Sequence, residues 1–172
     1  MNKKIWSGII IGLALVACIL IIINNSAEEP KLSSSSFNGI TLNSLKDSKA
    51  VDVNYADKPT VLSFFTSWCT YCNRDAPKVV ELHEKYKNKV NVFGVNLIDR
   101  DQRKEVSKYV ERHEIPYPVL LDTNGDVFRQ YNGRGFPTLY FIDRKGQVID
   151  VIIGSSELDT IEEAFNKLAK NG

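Results

Sequence analysis

The sequence has few cysteines and no excess of charge of either sign. Its 172 residues include only three cysteines, too few for the disulfide scaffolds that stabilise small secreted domains. Its 22 lysines and arginines nearly balance its 21 aspartates and glutamates, so it lacks the positive field by which proteins bind nucleic acid. It also lacks internal repeats. Because 43% of the residues are hydrophobic, the composition excludes a disordered chain and favours one folded domain.

The longest apolar run lies at the N-terminus. Residues 5–23 carry no charge over 19 positions, and a helix of that length spans about 28 Å, close to a bilayer core. Lys3 and Lys4 precede the run, which puts the N-terminus in the cytoplasm by the positive-inside rule. We therefore expect a single-pass protein of the bacterial cell membrane with its C-terminal domain on the extracytoplasmic side. The expected parts are an uncleaved signal-anchor, a flexible linker and a folded domain, at residues 1–23, 24–36 and 37–172.

Processing of this N-terminal segment leaves two alternatives open. A cleaved signal peptide would have a shorter apolar stretch and a small-residue cleavage site, and Asn24–Ala27 fits such a site poorly. Leu15–Cys18 resembles a bacterial lipobox, in which Cys18 would be lipidated and become the new N-terminus. The lipoprotein form would hold the domain at the same face of the membrane as the uncleaved anchor.

Strand and helix patterns alternate along the rest of the chain. Weak alternation over Phe37–Leu42 indicates an edge hairpin. Short apolar runs predict strands at Val61–Phe65, Val90–Leu97, Val119–Leu121, Thr138–Ile142 and Val148–Ile153. Amphipathic spacing predicts helices at Cys69–Tyr86 and Asp101–His113, one or two helical turns at Asp126–Tyr131, and a last helix capped by Ser155 or Ser156. This order predicts an α/β fold, a mixed sheet flanked by helices on both faces.

Two cysteines lie where a predicted strand gives way to a helix. Cys69 and Cys72 belong to the segment Trp68-Cys69-Thr70-Tyr71-Cys72, directly after the Val61–Phe65 strand. Unpaired backbone N–H groups and the positive end of the helix dipole stabilise a thiolate there. Cys69 is therefore predicted to be the nucleophile, and Cys72, one turn later and less exposed, to resolve the mixed disulfide. The two cysteines would form a redox-active disulfide.

Other roles for this cysteine pair are less consistent with the sequence. A structural zinc site needs four ligands, and the remaining candidates, His83 and His113, are far apart and show no paired spacing. A purely structural disulfide would close a very small loop and stabilise the fold little. The sequence thus predicts neither a metal nor a cofactor.

Two segments carry a family resemblance. Phe64–Cys72 and Gly135–Thr138, with an insertion at about Asp101–Leu121 and the N-terminal anchor, resemble the TlpA/ResA-like membrane-anchored thiol–disulfide oxidoreductases. The resemblance implies a thioredoxin-like domain with an N-terminal hairpin and an inserted helix–strand unit. It also implies that Phe136-Pro137 is a cis peptide bond facing the cysteines. Trp68, Phe136 and Pro137 would contact the substrate.

The resemblance also implies a protein thiol–disulfide oxidoreductase that works as a reductant. Its substrates would be disulfides in proteins, as in cytochrome c-type biogenesis or in envelope and spore proteins, and a membrane-embedded partner would supply electrons for recycling. We expect a monomer. Thr70-Tyr71 contains no histidine to stabilise the Cys69 thiolate, and this absence also favours a reductant. A thiol oxidase or isomerase and a metal-delivery module remain alternatives.

One position departs from the thioredoxin pattern. Many thioredoxins have a buried aspartate six residues before the first cysteine, where this chain has Ser63. Asp75, three residues after Cys72 on the same helical face, is the candidate proton acceptor in its place. ResA-like proteins are similar in carrying an acidic residue there, usually glutamate. The alternative for Asp75 is a solvated acid that complements the helix dipole, and the alternative for Trp68 is packing in the core.

Overall fold

The computed structural model describes residues 39–171. Its strands are β1 (Gly39–Ser44), β2 (Ala50–Asn54), β3 (Thr60–Phe65), β4 (Asn91–Leu97), β5 (Val119–Asp122), β6 (Thr138–Ile142) and β7 (Val148–Ile153). Its α-helices are α1 (Thr70–Tyr86), α2 (Arg103–Arg112), α3 (Asp126–Gln130) and α4 (Leu158–Asn171), and a 3-10 turn covers Ile98–Arg100. The anchor and linker predicted for residues 1–36 lie outside the described residues. Among residues 39–171, none of the helices combines the length and the apolarity needed to cross a membrane.

The strands form one mixed sheet in the order β2-β1-β5-β4-β3-β6-β7. β3, β4 and β5 run parallel, whereas β6 pairs antiparallel with β3 and β7 with β6. β3 is buried along its whole length, which agrees with its nearly unbroken apolar run. β3 lies between β4 and β6 in the interior of the sheet, and the two cysteines follow directly after its carboxyl end.

Helices cover both faces of the sheet, as the sequence predicts. α3 packs over one face, where the Phe128 ring lies 5.4 Å from that of Phe64. α1 and α4 cover the opposite face around Phe141. α2 packs beside the start of α1, where Tyr109 stacks on Phe65 at 4.7 Å. The start of α1 is therefore enclosed by the sheet and by α2.

The inserted strand β5 joins the N-terminal hairpin to the rest of the sheet. β5 pairs parallel with β4 on one side and antiparallel with β1 on the other. β1 in turn pairs with β2, at Ala50–Asn54, a strand that the sequence pattern had not located. The hairpin and the inserted unit implied by the resemblance are both present.

The predicted cap of the last helix is wrong. α4 begins at Leu158 rather than directly after Ser155 or Ser156. The Ser155 hydroxyl and the Ser156 backbone N–H instead donate hydrogen bonds to the carboxylate of Asp75. A contact with α1 has therefore taken the place of the local capping interaction that serine usually makes.

Candidate active site

Cys69 is the N-cap residue of α1, at the strand–helix junction where the sequence places it. Its Sγ accepts a hydrogen bond from the backbone N–H of Cys72 at 3.2 Å. The Cys69 residue is 7% exposed and Cys72 only 2%, and both are free thiols. The leading sulfur thus accepts one of the N–H groups that have no partner within the helix, and such groups at a helix start stabilise negative charge. The second sulfur is more deeply buried.

Cys72 lies in an environment that favours the protonated thiol. Burial raises the pKa of Cys72, and its hydrogen bond with Cys69 and the negative charges of Cys69 and Asp75 raise it further, against a smaller opposing effect of the Thr66 backbone. The Tyr109 hydroxyl donates to the Cys72 carbonyl at 2.9 Å and fixes the backbone of this residue. Cys72 must therefore lose a proton before it can attack another sulfur.

Asp75 is buried rather than solvated, so the alternative of an exposed acid that complements the helix dipole is wrong. The residue is 4% exposed. Its carboxylate accepts hydrogen bonds from Lys78 Nζ at 3.0 Å, from Ser155 Oγ at 2.6 Å and from the Ser156 N–H at 3.1 Å. Because Lys78 supplies a positive charge and the serines supply neutral donors, the carboxylate is held by several donors without solvent.

A small cavity connects Asp75 with the resolving cysteine. It is lined by Cys72, Asp75, Ser63 and Pro137 among others, and offers about 10 Å³ to the centre of a water molecule. That is about the space of a single water. Ser63, six residues before Cys69, lines the same cavity as Asp75. The structure thus brings together the carboxylate and the thiol that the proton-transfer hypothesis needs.

The Phe136-Pro137 peptide bond is cis, as the resemblance implies. Pro137 is buried against the cavity beside Cys72, and its carbonyl accepts a hydrogen bond from the Gly154 N–H at 2.8 Å. The half-buried Phe136 stacks on Phe128 with ring centroids 5.0 Å apart. The segment before β6 is therefore fixed next to the thiols, and its role in substrate binding stays a prediction.

Trp68 lies on the surface, so the alternative of core packing is wrong. The residue is 63% exposed, and its indole N–H donates to the Arg100 carbonyl at 2.8 Å. Tyr71, between the two cysteines, is also exposed. Two aromatic side chains therefore flank Cys69 in the sequence and offer apolar surface beside it.

Asp101 holds the loop before Cys69, a role that the sequence analysis missed. Its carboxylate accepts from the Ser67 N–H at 2.5 Å, from Ser67 Oγ at 2.6 Å and from Asn96 Nδ2 at 2.9 Å. One signal could have revealed it. Because β3 and β4 are parallel neighbours, the residues after their carboxyl ends meet at one sheet edge, and Ser67 and Asp101 both follow such ends.

Neither histidine considered as a zinc ligand joins the cysteines in a ligand set. His83 packs edge-on to Tyr117 at 5.3 Å, and burial lowers the pKa of His83. His113 Nε2 lies 2.9 Å from Asn73 Oδ1. Within residues 39–171, no group of three or more histidine, cysteine, aspartate or glutamate side chains is arranged to hold a metal.

Comparison with known proteins agrees with this geometry. The chain is 27% identical over 145 residues to the thioredoxin-like protein YneN of Bacillus subtilis, covering 84% of this chain and 80% of that protein. It is 30% identical over 118 residues to the thiol-disulfide oxidoreductase ResA of Bacillus thuringiensis, covering 67% of this chain and 66% of that protein. The crystal structure of StoA from Bacillus subtilis shares the fold, with a TM-score of 0.65, 20% identity and coverage of 76% of this chain and 98% of StoA. Residues 24–151 match the AhpC/TSA family, and the chain belongs to that family.

Proposed function

We propose that this protein is an extracytoplasmic thiol–disulfide oxidoreductase that reduces disulfides in other proteins. Residues 1–23 would anchor it in the cell membrane. The observation that carries the activity is the hydrogen bond from the Cys72 N–H to Cys69 Sγ at the first turn of α1. The names of the ResA relatives support the same chemistry.

The first step is an attack by Cys69. Its thiolate forms a bond to one sulfur of the substrate disulfide, and the bond between the two substrate sulfurs breaks. The second substrate sulfur leaves as a thiolate and takes up a proton. The N–H groups at the start of α1 stabilise the attacking thiolate because they have no partners within the helix.

The second step is resolution by Cys72. Its thiol gives up a proton and attacks Cys69 Sγ, so that the Cys69–Cys72 disulfide forms and the remaining substrate sulfur leaves as a thiolate. We assign the proton to Asp75, across the cavity that both residues line. One substrate sulfur takes up a proton in the first step and the other takes up a proton after it leaves in the second, so the substrate gains two electrons and two protons. A membrane-embedded dithiol partner would return the same number to Cys69 and Cys72.

Substrate contacts are assigned to the surface around Cys69. Trp68 presents an exposed ring, and the backbone at Phe136-Pro137 could pair with an extended segment of the client in the manner of strand addition. Apocytochrome c and envelope or spore proteins are the client classes we propose.

Cysteine substitutions test the activity in the full-length protein. We expect Cys69→Ala to abolish reduction of insulin disulfides and Cys72→Ala to accumulate mixed disulfides, whose mass spectrometry would name the clients. Cys18→Ala is the matched control and should keep full activity. Turnover by the Cys69→Ala protein would refute the proposal.

The redox potential and the location are tested separately. A Cys69–Cys72 potential near −120 mV, typical of strong oxidants, would favour the thiol oxidase alternative over the reductant. Binding of metal by the reduced protein at micromolar concentration would favour a metal-delivery module.

The location is tested with protease added to protoplasts, whose cell membrane is intact and whose wall has been removed. The protease should digest the domain, and protection of the domain would contradict the extracytoplasmic assignment.

A further inference from the structure

The side chain of Asn73 uses its whole hydrogen-bonding capacity beside the two cysteines. Its Nδ2 donates to the carbonyls of Ser67 and Cys69, each at 2.9 Å. Its Oδ1 accepts from Arg112 Nη1 at 3.1 Å and faces His113 Nε2 at 2.9 Å. Because a guanidinium can only donate, Arg112 fixes which end of the amide is the oxygen. His113 Nε2 therefore donates as well.

These four contacts connect two separate parts of the chain. Ser67 and Cys69 belong to the dithiol loop, residues 66–72, which runs from the end of β3 into the first turn of α1 and carries both thiols. Arg112 ends α2 and His113 follows it, about 40 positions further along the chain. α2 belongs to the inserted unit. A second contact supports the connection, since Tyr109 of α2 packs against His113 at 4.6 Å and donates to the Cys72 carbonyl.

The connection fixes the backbone on which the thiol depends. The Cys69 carbonyl accepts from the Asn73 backbone N–H at 3.0 Å as well as from its side chain. With that carbonyl held twice, the Cys69 backbone keeps the extended conformation that places Sγ 3.2 Å from the Cys72 N–H. Loss of the side-chain contacts frees this loop, and a less fixed nucleophile reacts more slowly.

We propose that Asn73 is a positioning residue that couples the inserted helix α2 to the dithiol loop and thereby sets the reactivity of Cys69. The proposal deepens the function proposed above and rests on it, because it takes Cys69 as the attacking thiol. It assigns the inserted unit a role in the chemistry beyond extending the sheet.

The test measures the reactivity of Cys69 in the reduced full-length protein. The rate of alkylation by iodoacetamide is followed across pH, together with the equilibrium of the Cys69–Cys72 disulfide with glutathione. We expect Asn73→Ala to slow alkylation near neutral pH about tenfold, the scale of losing the two hydrogen bonds to the Ser67 and Cys69 carbonyls, and to shift the pH profile upward. Lys104→Ala, at an exposed position of α2, is the control and should leave both readouts unchanged.

A second variant tests the coupling from the other side. Arg112→Ala with His113→Ala removes the two partners of Asn73 Oδ1 and leaves the hydrogen bonds of Asn73 Nδ2 and of the Tyr109 hydroxyl in place. It should slow alkylation by a smaller factor, and adding it to Asn73→Ala should cause no further loss, because both remove the same connection. Arg112→Lys with His113→Gln keeps donors at both positions and should restore the rate to within about twofold of wild type.

The outcomes separate this inference from the proposed function. If the cysteine pair fails to exchange with glutathione in the wild-type protein, the oxidoreductase itself is refuted. If the pair exchanges normally but the Asn73→Ala protein keeps the wild-type rate and pH profile, only the positioning role is refuted. Additive losses in the combined variant would also overturn it. Should Asn73→Ala fail to fold, the Arg112 and His113 variants decide the question.

Discussion

Two cysteines three positions apart have different surroundings in this domain. Cys69 accepts a backbone N–H at a helix start, whereas Cys72 lies one turn deeper, against Tyr109 and the cavity that it shares with Asp75. Thiol–disulfide exchange needs this difference, because one sulfur must attack the substrate disulfide and the other must then resolve the mixed disulfide.

The difference predicts selective alkylation. Burial raises the pKa of Cys72 above its usual value of 9.0, so its thiolate fraction at any given pH is smaller than that of free cysteine. Iodoacetamide near neutral pH should therefore modify Cys69 and leave Cys72 unmodified in the folded, reduced protein, as peptide mass mapping would show. Both should react in urea, and comparable rates in the folded protein would contradict the assignment.

At the scale of elements, the dithiol loop is held mainly by the segment that follows β4. Asp101 binds Ser67, the Arg100 carbonyl binds Trp68, and α2 binds Cys72 through Tyr109. The loop is thereby supported by residues that are distant in sequence but neighbours at the edge of the sheet.

Asp101 is expected to matter for stability as well as for position. Asp101→Ala removes the acceptor of the Ser67 N–H and of Asn96 Nδ2, and leaving such partly buried donors unpaired should lower the free energy of unfolding by about 2–3 kcal/mol. Asp99→Ala breaks only a surface pair with Arg100 at 3.7 Å and should cost under about 0.5 kcal/mol. Urea unfolding measures both, and equal losses would refute the assignment.

The segment before the cis proline is constrained by a glycine. A Cβ at Gly133 would lie 2.1 Å from the ring of Phe128, which is buried and stacks on Phe136. Gly133→Ala should therefore displace that ring and destabilise the fold by about 1–3 kcal/mol. At Gly135 the nearest atom to a Cβ is 3.9 Å away, on Ile153, so Gly135→Ala should be nearly neutral. Thermal unfolding distinguishes the two variants.

At the scale of the whole molecule, the sheet buries tyrosines on both faces. Tyr55 and Tyr131 share a hydrogen bond at 2.6 Å beneath α3, and Tyr109 and Tyr117 are buried on the other side. Burial raises the pKa of Tyr55 to about 12, and it raises the pKa values of the other three as well.

These tyrosines predict alkaline sensitivity. Since their folded pKa values exceed the ordinary value of 10.0, their contribution to stability is complete below about pH 10 and is lost as the pH rises further. The free energy of unfolding should fall by about 1 kcal/mol per buried tyrosine near pH 11, measured by urea unfolding. Tyr71→Phe, at an exposed position, should leave this dependence unchanged. Constant stability between pH 8 and pH 11 would contradict the prediction.

The element types and the place of the cysteines follow from local sequence patterns. Apolar runs and helical spacing predict the strands and helices because both depend on neighbours within a few positions. Cys69 could be placed at a helix start for the same reason, as the strand before it and the helix after it are both visible in the sequence. The exception is β2, at Ala50–Asn54, whose mixed composition gives little local signal.

What the sequence by itself determined is the order of strands and helices and the position of the thiols at one junction. The tertiary structure alone decided which distant groups surround them, namely Ser155 and Ser156 around Asp75, Asp101 against Ser67, and Arg112 with His113 on Asn73. The physical reason is that these hydrogen bonds join segments 34 to 81 positions apart. Such segments meet only through the order of strands in the sheet and the packing of helices on it, and no local pattern specifies either.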